Sequence, residues 1–246
     1  QEAEGDFDKA VDIIRKKGLI VASKRADREA KEGCVLAVVE GKKGVLVSLN
    51  CETDLVAKNE NFINFTKQIL KTALENMPAD LNSLLALKLD GRSIADQIAE
   101  QTGIIGEKLE LSFYGKLEAE DAIAYIHPGN KLATIVGFNK PADMQVKKDV
   151  AMQVAAMDPI SIDKNDVPES VIAHELEIGK EKAREEGKPE NMLEKIAQGR
   201  LNKFFQESTL MNQAFIKEAK QTVKAYIQSN DKDLTVTGFV RYTLND

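Results

Sequence analysis

Two hairpins set the frame of this chain. Cys34–Val39 and Gly44–Asn50 are Val- and Leu-dense runs joined by Glu40-Gly41-Lys42-Lys43, and the density predicts one buried face. Asp121–Ile126 and Lys131–Phe138 repeat the pattern around His127-Pro128-Gly129-Asn130. A hairpin alone is marginal in water, so each needs a further strand and a covering layer. Both find candidates in the same order. Lys108–Glu118 alternates as a strand after the first hairpin, and Leu234–Val240 continuing through Arg241-Tyr242-Thr243 does so after the second. The order of elements repeats more clearly than the residues do. The expected class is α+β: two similar subdomains, each a small three-stranded antiparallel sheet packed with helices.

The helices read from apolar spacing and end signals. Phe62, Phe65, Ile69 and Ala73 share a face that stops at Met77-Pro78, and Leu81–Leu89 is a shorter run. Ser93-Ile94-Ala95-Asp96 has the form of a capping box, opening a helix that Gly103 closes. Asn139-Lys140-Pro141 starts a helix carrying Val146, Val150, Val154 and Met157. Gln1–Lys17 reads as one helix striped by Phe7, Ala10, Val11 and Ile14 and ending before Gly18, with Ser23–Glu32 as a charged linker.

Asp166-Val167-Pro168-Glu169 reads as a second capping box, opening a highly charged helix to Gly187. Lys188-Pro189 restarts a helix with Leu193, Ile196, Ala197, Leu201, Phe204 and Phe205 on one side. The pair is expected to form a projecting antiparallel helical hairpin, a coiled-coil arm, although an ordinary surface helix pair fits the same pattern. Thr222–Gln228 is a short helix. The resulting division is 1–32 helix and linker, 33–120 first core subdomain, 121–165 with 208–246 second core subdomain, and 166–207 arm.

Composition narrows the function. The 246 residues are 43 % hydrophobic and carry a formal net charge of −6, enough apolar content for a substantial core and the wrong balance for a general nucleic-acid surface. Cys34 and Cys51 lack metal-ligand spacing, and the two histidines lie far away, so two buried reduced thiols are expected, as suits a cytosolic protein. The longest apolar run, Cys34–Val39, is too short to span a bilayer. The acidic start Gln1–Asp8 is not expected to be a signal peptide. The glycine patterns that cradle phosphates are missing, so no directly bound nucleotide and no cofactor are expected. Gly41-Lys42-Lys43-Gly44 is a solvated basic turn, and His174 an exposed helix residue. His127, before Pro128, is displayed at a hairpin tip. Asp54 and His127 could pair as catalytic groups, but no nucleophile or third group accompanies them.

The stretch Asn50-Cys51-Glu52-Thr53-Asp54-Leu55-Val56-Ala57-Lys58 follows the first hairpin. Thr53 is placed as an N-cap with Asp54 in the first turn, where the helix dipole favours a negative charge. Leu55, Val56 and Ala57 cannot all face inward from so short a turn. On local physics this is an ordinary strand-cap-helix corner. The second copy has Pro141-Ala142-Asp143-Met144 there instead.

The stretch also resembles the signature of the translation elongation factor Ts family, whose core reads Thr-Asp-Phe-Val-Ala. Further likenesses follow in order. Glu4-Gly5-Asp6-Phe7-Asp8-Lys9-Ala10 is similar to the opening of the last helix of the family's N-terminal ubiquitin-associated-type module, and Lys16-Lys17-Gly18 with Ala22 and Lys24 to its linker start. Gly103-Ile104-Ile105-Gly106-Glu107-Lys108 resembles its Ile-Gly-Glu-Asn region, and Tyr125-Ile126-His127-Pro128-Gly129 its Tyr-x-His-x-Gly tip. Ala151-Met152-Gln153-Val154-Ala155-Ala156, Gly187-Lys188-Pro189, Gly199-Arg200 and Val236-Thr237-Gly238-Phe239-Val240-Arg241 complete the series.

The resemblance implies a guanine-nucleotide exchange factor rather than an enzyme. Its partner would be elongation factor Tu, in the bacterial cytoplasm, with an organellar matrix the less expected place. Thr53, Asp54, Leu55, Val56, Ala57 and His127 would form the partner-binding set. Asp54 and Leu55 would wedge beside the partner's Mg²⁺ and phosphate site and release GDP. Leu55 stands where the family usually has Phe, so the wedge is smaller and cannot stack. A dimer or a two-to-two complex stays open. The competing reading is a non-catalytic scaffold that assembles partners through the helical arm.

Overall fold

The computed structural model describes residues 5–245. Chain order runs α1 (Phe7–Lys24), β1 (Glu32–Glu40), β2 (Lys43–Cys51), α2 (Asp54–Ala57), α3 (Glu60–Asn76), α4 (Leu81–Ala86), β3 (Lys88–Leu89), β4 (Arg92–Ser93), α5 (Ile94–Ile105) and β5 (Glu110–Glu118). It continues with β6 (Asp121–Ile126), β7 (Leu132–Phe138), α6 (Met144–Met157), α7 (Glu169–Glu185), α8 (Leu193–Ser208), β8 (Ala214–Phe215), β9 (Glu218–Thr222), α9 (Val223–Asn230) and β10 (Val236–Thr243). Two three-stranded sheets result, in the orders β1-β2-β5 and β10-β7-β6, so the repeated plan is real. The chain forms two compact units, residues 1–135 with 240–246, and residues 136–239.

In the first unit, β1 and β2 pair antiparallel from Glu32↔Cys51 to Glu40↔Lys43, leaving Gly41 and Lys42 as the turn. Gly41 has φ 59°, the left-handed conformation that such a tight turn favours and glycine adopts without strain. β5 adds on the far side of β2, with a bulge opposite Ser48 and Leu49. The sheet is buried on both faces, not one as the density of Val and Leu suggested. Cys34, Leu36, Val45, Val47, Leu49 and Cys51 meet Phe62, Ile69 and Ala73 of α3 on one side. Val35, Ala37 and Leu46 meet Ala133, Ile135, Val240 and Tyr242 on the other. Strands covered on both faces have no need of alternating polar residues, which is why these runs are continuously apolar.

α1 departs from expectation. It does not stop before Gly18 but runs to Lys24, because Gly18 serves packing rather than termination. Gly18 is the buried residue of that helix among the described residues, and it crosses α5 at Gly103, where an added Cβ would stand 2.6 Å from the Gly18 Cα. Phe7 (79 % exposed) and Ile14 lie outside the buried face, contrary to the expected stripe. The expected helix start at Gln1 falls in residues 1–4, outside the described range. For the same packing reason Gly103 does not close α5; Gly106, at φ 78°, does. Ser93 Oγ accepts from the Asp96 N–H as its cap.

In the second unit, Val146, Val150 and Val154 of α6 are buried. That helix starts at Met144 with Asp143 as cap, later than the Asn139-Lys140-Pro141 start predicted, since Asp143 Oδ1 takes the Gln145 and Val146 N–H groups. Gln153 and Gln213 are fully buried and bonded to each other, with the remaining capacity spent on the Ala214, Met157 and Glu207 carbonyls and the Ile216 N–H. Asp149 accepts from Gln145, Lys217 and Tyr226. These bonds hold the β8–β9 hairpin, a feature too short to leave a sequence signal, as are β3 and β4. α7 and α8 pack against each other, with Gly179 against Ala197 and ion pairs Lys180–Glu194 and Glu186–Arg200. The capping box lies earlier than predicted, at Asp163 and Asp166, while α7 starts from Pro168 with no side-chain cap.

Among the described residues no helix is long and apolar enough to cross a membrane, and no group of three or more His, Cys, Asp or Glu is placed to hold a metal ion.

Candidate functional site

The corner after β2 is built from what happens when the strand ladder runs out. Cys51 is the last paired residue of β2. The next two amides, of Glu52 and Thr53, point where no strand can accept them, and unpaired backbone donors need a partner. Glu107 supplies it from the loop after α5. Its Oε2 accepts from Glu52 N at 3.1 Å and Thr53 N at 3.0 Å, and its Oε1 from Thr53 Oγ1 at 2.6 Å. Glu52 returns the arrangement. Its carboxylate accepts from Lys108 N at 2.7 Å and from Arg25 and Arg28 at 2.7 and 3.0 Å. Each carboxylate therefore grips the backbone of the other's segment.

Thr53 caps α2 as predicted, its Oγ1 facing Val56 N at 3.5 Å. The short helix then splits its side chains. Ala57 is buried and Val56 packs against the α3 core, while Asp54 and Leu55 point to solvent, Leu55 80 % exposed. Asp54 pairs with Lys58 at 2.7 Å, and this hydrogen bond, followed by the charges of Lys58 and Lys131, holds the Asp54 carboxyl below its usual range. Asn59 then caps α3 through Asn61 N and Phe62 N. Burial pushes the Cys51 thiol up to about 12 and Cys34 up to about 11, so both are inert core residues.

His127 sits exposed at the β6–β7 tip, in the same unit, with Nδ1 2.9 Å from the Tyr125 hydroxyl. The tip lies against β1, where Val35 N donates to Asn130 O at 2.7 Å. Lys131 Nζ is 2.8 Å from Glu32 Oε2, an ion pair without hydrogen-bond geometry. Lys131 thus connects the tip electrostatically to Asp54, but no described hydrogen bond or ion pair joins Asp54 to His127.

Sequence reasoning missed the Glu52–Glu107 exchange and the roles of Arg25 and Arg28. Glu107 stands 54 residues from Thr53, and its signal in the sequence was its place in the Gly103–Lys108 stretch that resembles the family's Ile-Gly-Glu-Asn region. Glu52 is drawn down to about 2, first by the Lys108 N–H and then by Arg25 and Arg28, against the opposing effect of burial. A carboxyl lowered from 4.5 in this way adds stability above pH 4.5 that disappears as pH falls from 4.5 toward 2. Melting followed across that window is expected to show Glu52→Gln less stable than the native chain at pH 7 and less sensitive to acid below 4.5. Parallel curves for the two would remove Glu52 from the clasp.

This corner sits within a wider match. The family described as Elongation factor TS covers residues 52–246. Elongation factor Ts of Porphyromonas gingivalis is 50 % identical over 246 residues, spanning all of this chain and 90 % of that protein. The counterpart from Azobacteroides pseudotrichonymphae is 51 % identical over 246 residues, with 100 % and 90 % covered. That from Christiangramia forsetii is 47 % identical over 247 residues, with 99 % and 89 % covered. With that family covering residues 52–246 and these relatives aligned over both sheets and the corner, the chain belongs to the elongation factor Ts family.

Proposed function

We propose that this chain is the guanine-nucleotide exchange factor of elongation factor Tu, acting by insertion of Asp54 and Leu55 into the partner's G domain beside its Mg²⁺ and phosphate site. One observation carries the reading: a charged and an apolar side chain are held out in solvent on a corner whose neighbours on both sides are fixed. An exposed leucine there has no structural task, and an apolar anchor flanked by a carboxylate is what a wedge into a polar, metal-bearing site requires. Thr53, Val56 and Ala57 shape the corner, and His127 adds a contact from the adjacent tip. The α7–α8 hairpin serves as a separate arm in this reading, and the four-part division of the chain and a cytoplasmic location belong to it too.

The energetics are those of negative coupling. Factor and nucleotide each weaken the other's binding by the same factor, so GDP leaves the complex and GTP, in excess, displaces the factor. No covalent step is involved. Elongation factor Tu loaded with a fluorescent GDP tests this directly. Micromolar chain is expected to accelerate GDP release at least about tenfold, equivalent to roughly 1.4 kcal/mol in the barrier. Binding without release would instead support a scaffold working through the charged α7–α8 hairpin.

A further inference from the structure

We infer that Glu107 is the positioning residue of the exchange corner, holding Thr53, and through it Asp54 and Leu55, in the inserting geometry. The inference rests on the exchange reading and deepens it.

α2 has only four residues. Four residues, Asp54–Ala57, cannot sustain a helix by themselves, because nucleation costs more than so few hydrogen bonds return. Its direction is therefore set at its ends. The C-terminal end is fixed by Ala57 and Val56 in the core. The N-terminal end has no apolar anchor, since Thr53, Asp54 and Leu55 are all exposed. What fixes it is the Glu107 carboxylate, with three charge-assisted hydrogen bonds to two consecutive residues. Two parallel N–H donors on one oxygen and a hydroxyl on the other define the plane of the corner. With Thr53 Oγ1 donating to Glu107, its lone pairs are turned to the Val56 N–H, so one hydroxyl links carboxylate and cap.

The same geometry separates positioning from folding. Thr53 is exposed and Glu52 only half-buried, so without Glu107 their amides can turn to water. The cost falls on the order of the corner and not on the core. A wedge that must be rigid to act loses rate when its base loosens, even while the fold persists.

Two variants and two readouts test this in the full chain. Glu107→Ala is expected to lower the GDP-release rate at saturating factor about tenfold, with the half-saturating concentration moving less than about threefold. Glu107→Gln keeps an oxygen for the two amides and is expected to recover to within about threefold of the native rate. In the free chain, the Glu52 and Thr53 amides are expected to exchange with deuterium at least about tenfold faster in Glu107→Ala, with the Val47 amide in the core strand unchanged. Native release rates in Glu107→Ala, or amides as protected as before, would overturn the assignment while leaving the exchange reading intact. A native chain that released no GDP would overturn the exchange reading and, with it, this one. Loss of Val47 protection along with the corner would also overturn it, since Glu107 would then be holding the fold.

Discussion

Asp54→Ala combined with Leu55→Ala is expected to reduce the acceleration of GDP release about a hundredfold while the melting temperature moves by no more than about 2 °C. The asymmetry follows from where the two side chains sit. Leu55 is 80 % exposed, so truncation removes almost no buried apolar area from the folded chain. Asp54 pairs with Lys58 among the described residues, through an ion pair whose partners are 60 % and 75 % exposed, and pairs in water at that exposure add little stability. At a partner's surface the balance reverses. Central anchors of an interface typically cost about 2–4 kcal/mol on truncation, and ~2.7 kcal/mol is a hundredfold in rate. Release measured against factor concentration, with calorimetry of the same samples, separates the two quantities. A fall in melting temperature that tracks the fall in exchange would make the corner a structural element only.

How legible this was depended on the range of the interactions. The hairpins, α3 and the cap at Thr53 could be read locally, because their causes are local: apolar density, 3.6-residue spacing, a hydroxyl before an acidic first turn. That Leu55 would face out and Ala57 in was readable only as a statement that three consecutive apolar residues cannot share one face. Which of them turns outward depends on how α2 enters the sheet-α3 core, a contact between segments. The Glu52–Glu107 exchange was invisible for the same reason. Each glutamate, taken alone, is an unremarkable charge in a chain that is 30 % charged. Their meaning comes from two orphaned strand-end amides meeting a loop that follows α5. The glycines misled in a consistent direction. Gly18 and Gly103 look like stops because glycine is a poor helix former, whereas their missing side chains allow two helices to touch backbone to backbone. The second face of the first sheet was missed because the elements covering it, β7 and β10, come from much later in the sequence.

The helix crossing carries the largest expected effect on stability. Gly103→Val places a branched side chain where a Cβ alone already stands 2.6 Å from the Gly18 Cα and 3.0 Å from its nitrogen. Both obstacles are backbone, so no side chain can swing aside and α1 must move bodily away from α5. The cost expected is about 3 kcal/mol, in the range of severe overpacking, or roughly 6–12 °C in melting temperature for a chain of this size. Loss of docking, not of helix propensity, is the cause, because valine differs from glycine little as a helix former. Deuterium exchange should therefore show α1 losing protection along Phe7–Lys24 while the β2 amides keep theirs. Arg25 and Arg28 lie just beyond α1 and reach Glu52, so undocking loosens one side of the clasp. Glu107 still holds the other side, and GDP release is expected to stay within about threefold of native at temperatures below the shifted melt. Unchanged melting in Gly103→Val would mean that the two helices do not meet at these glycines. A collapse of exchange in a chain still folded would mean that the corner depends on α1 more than on Glu107.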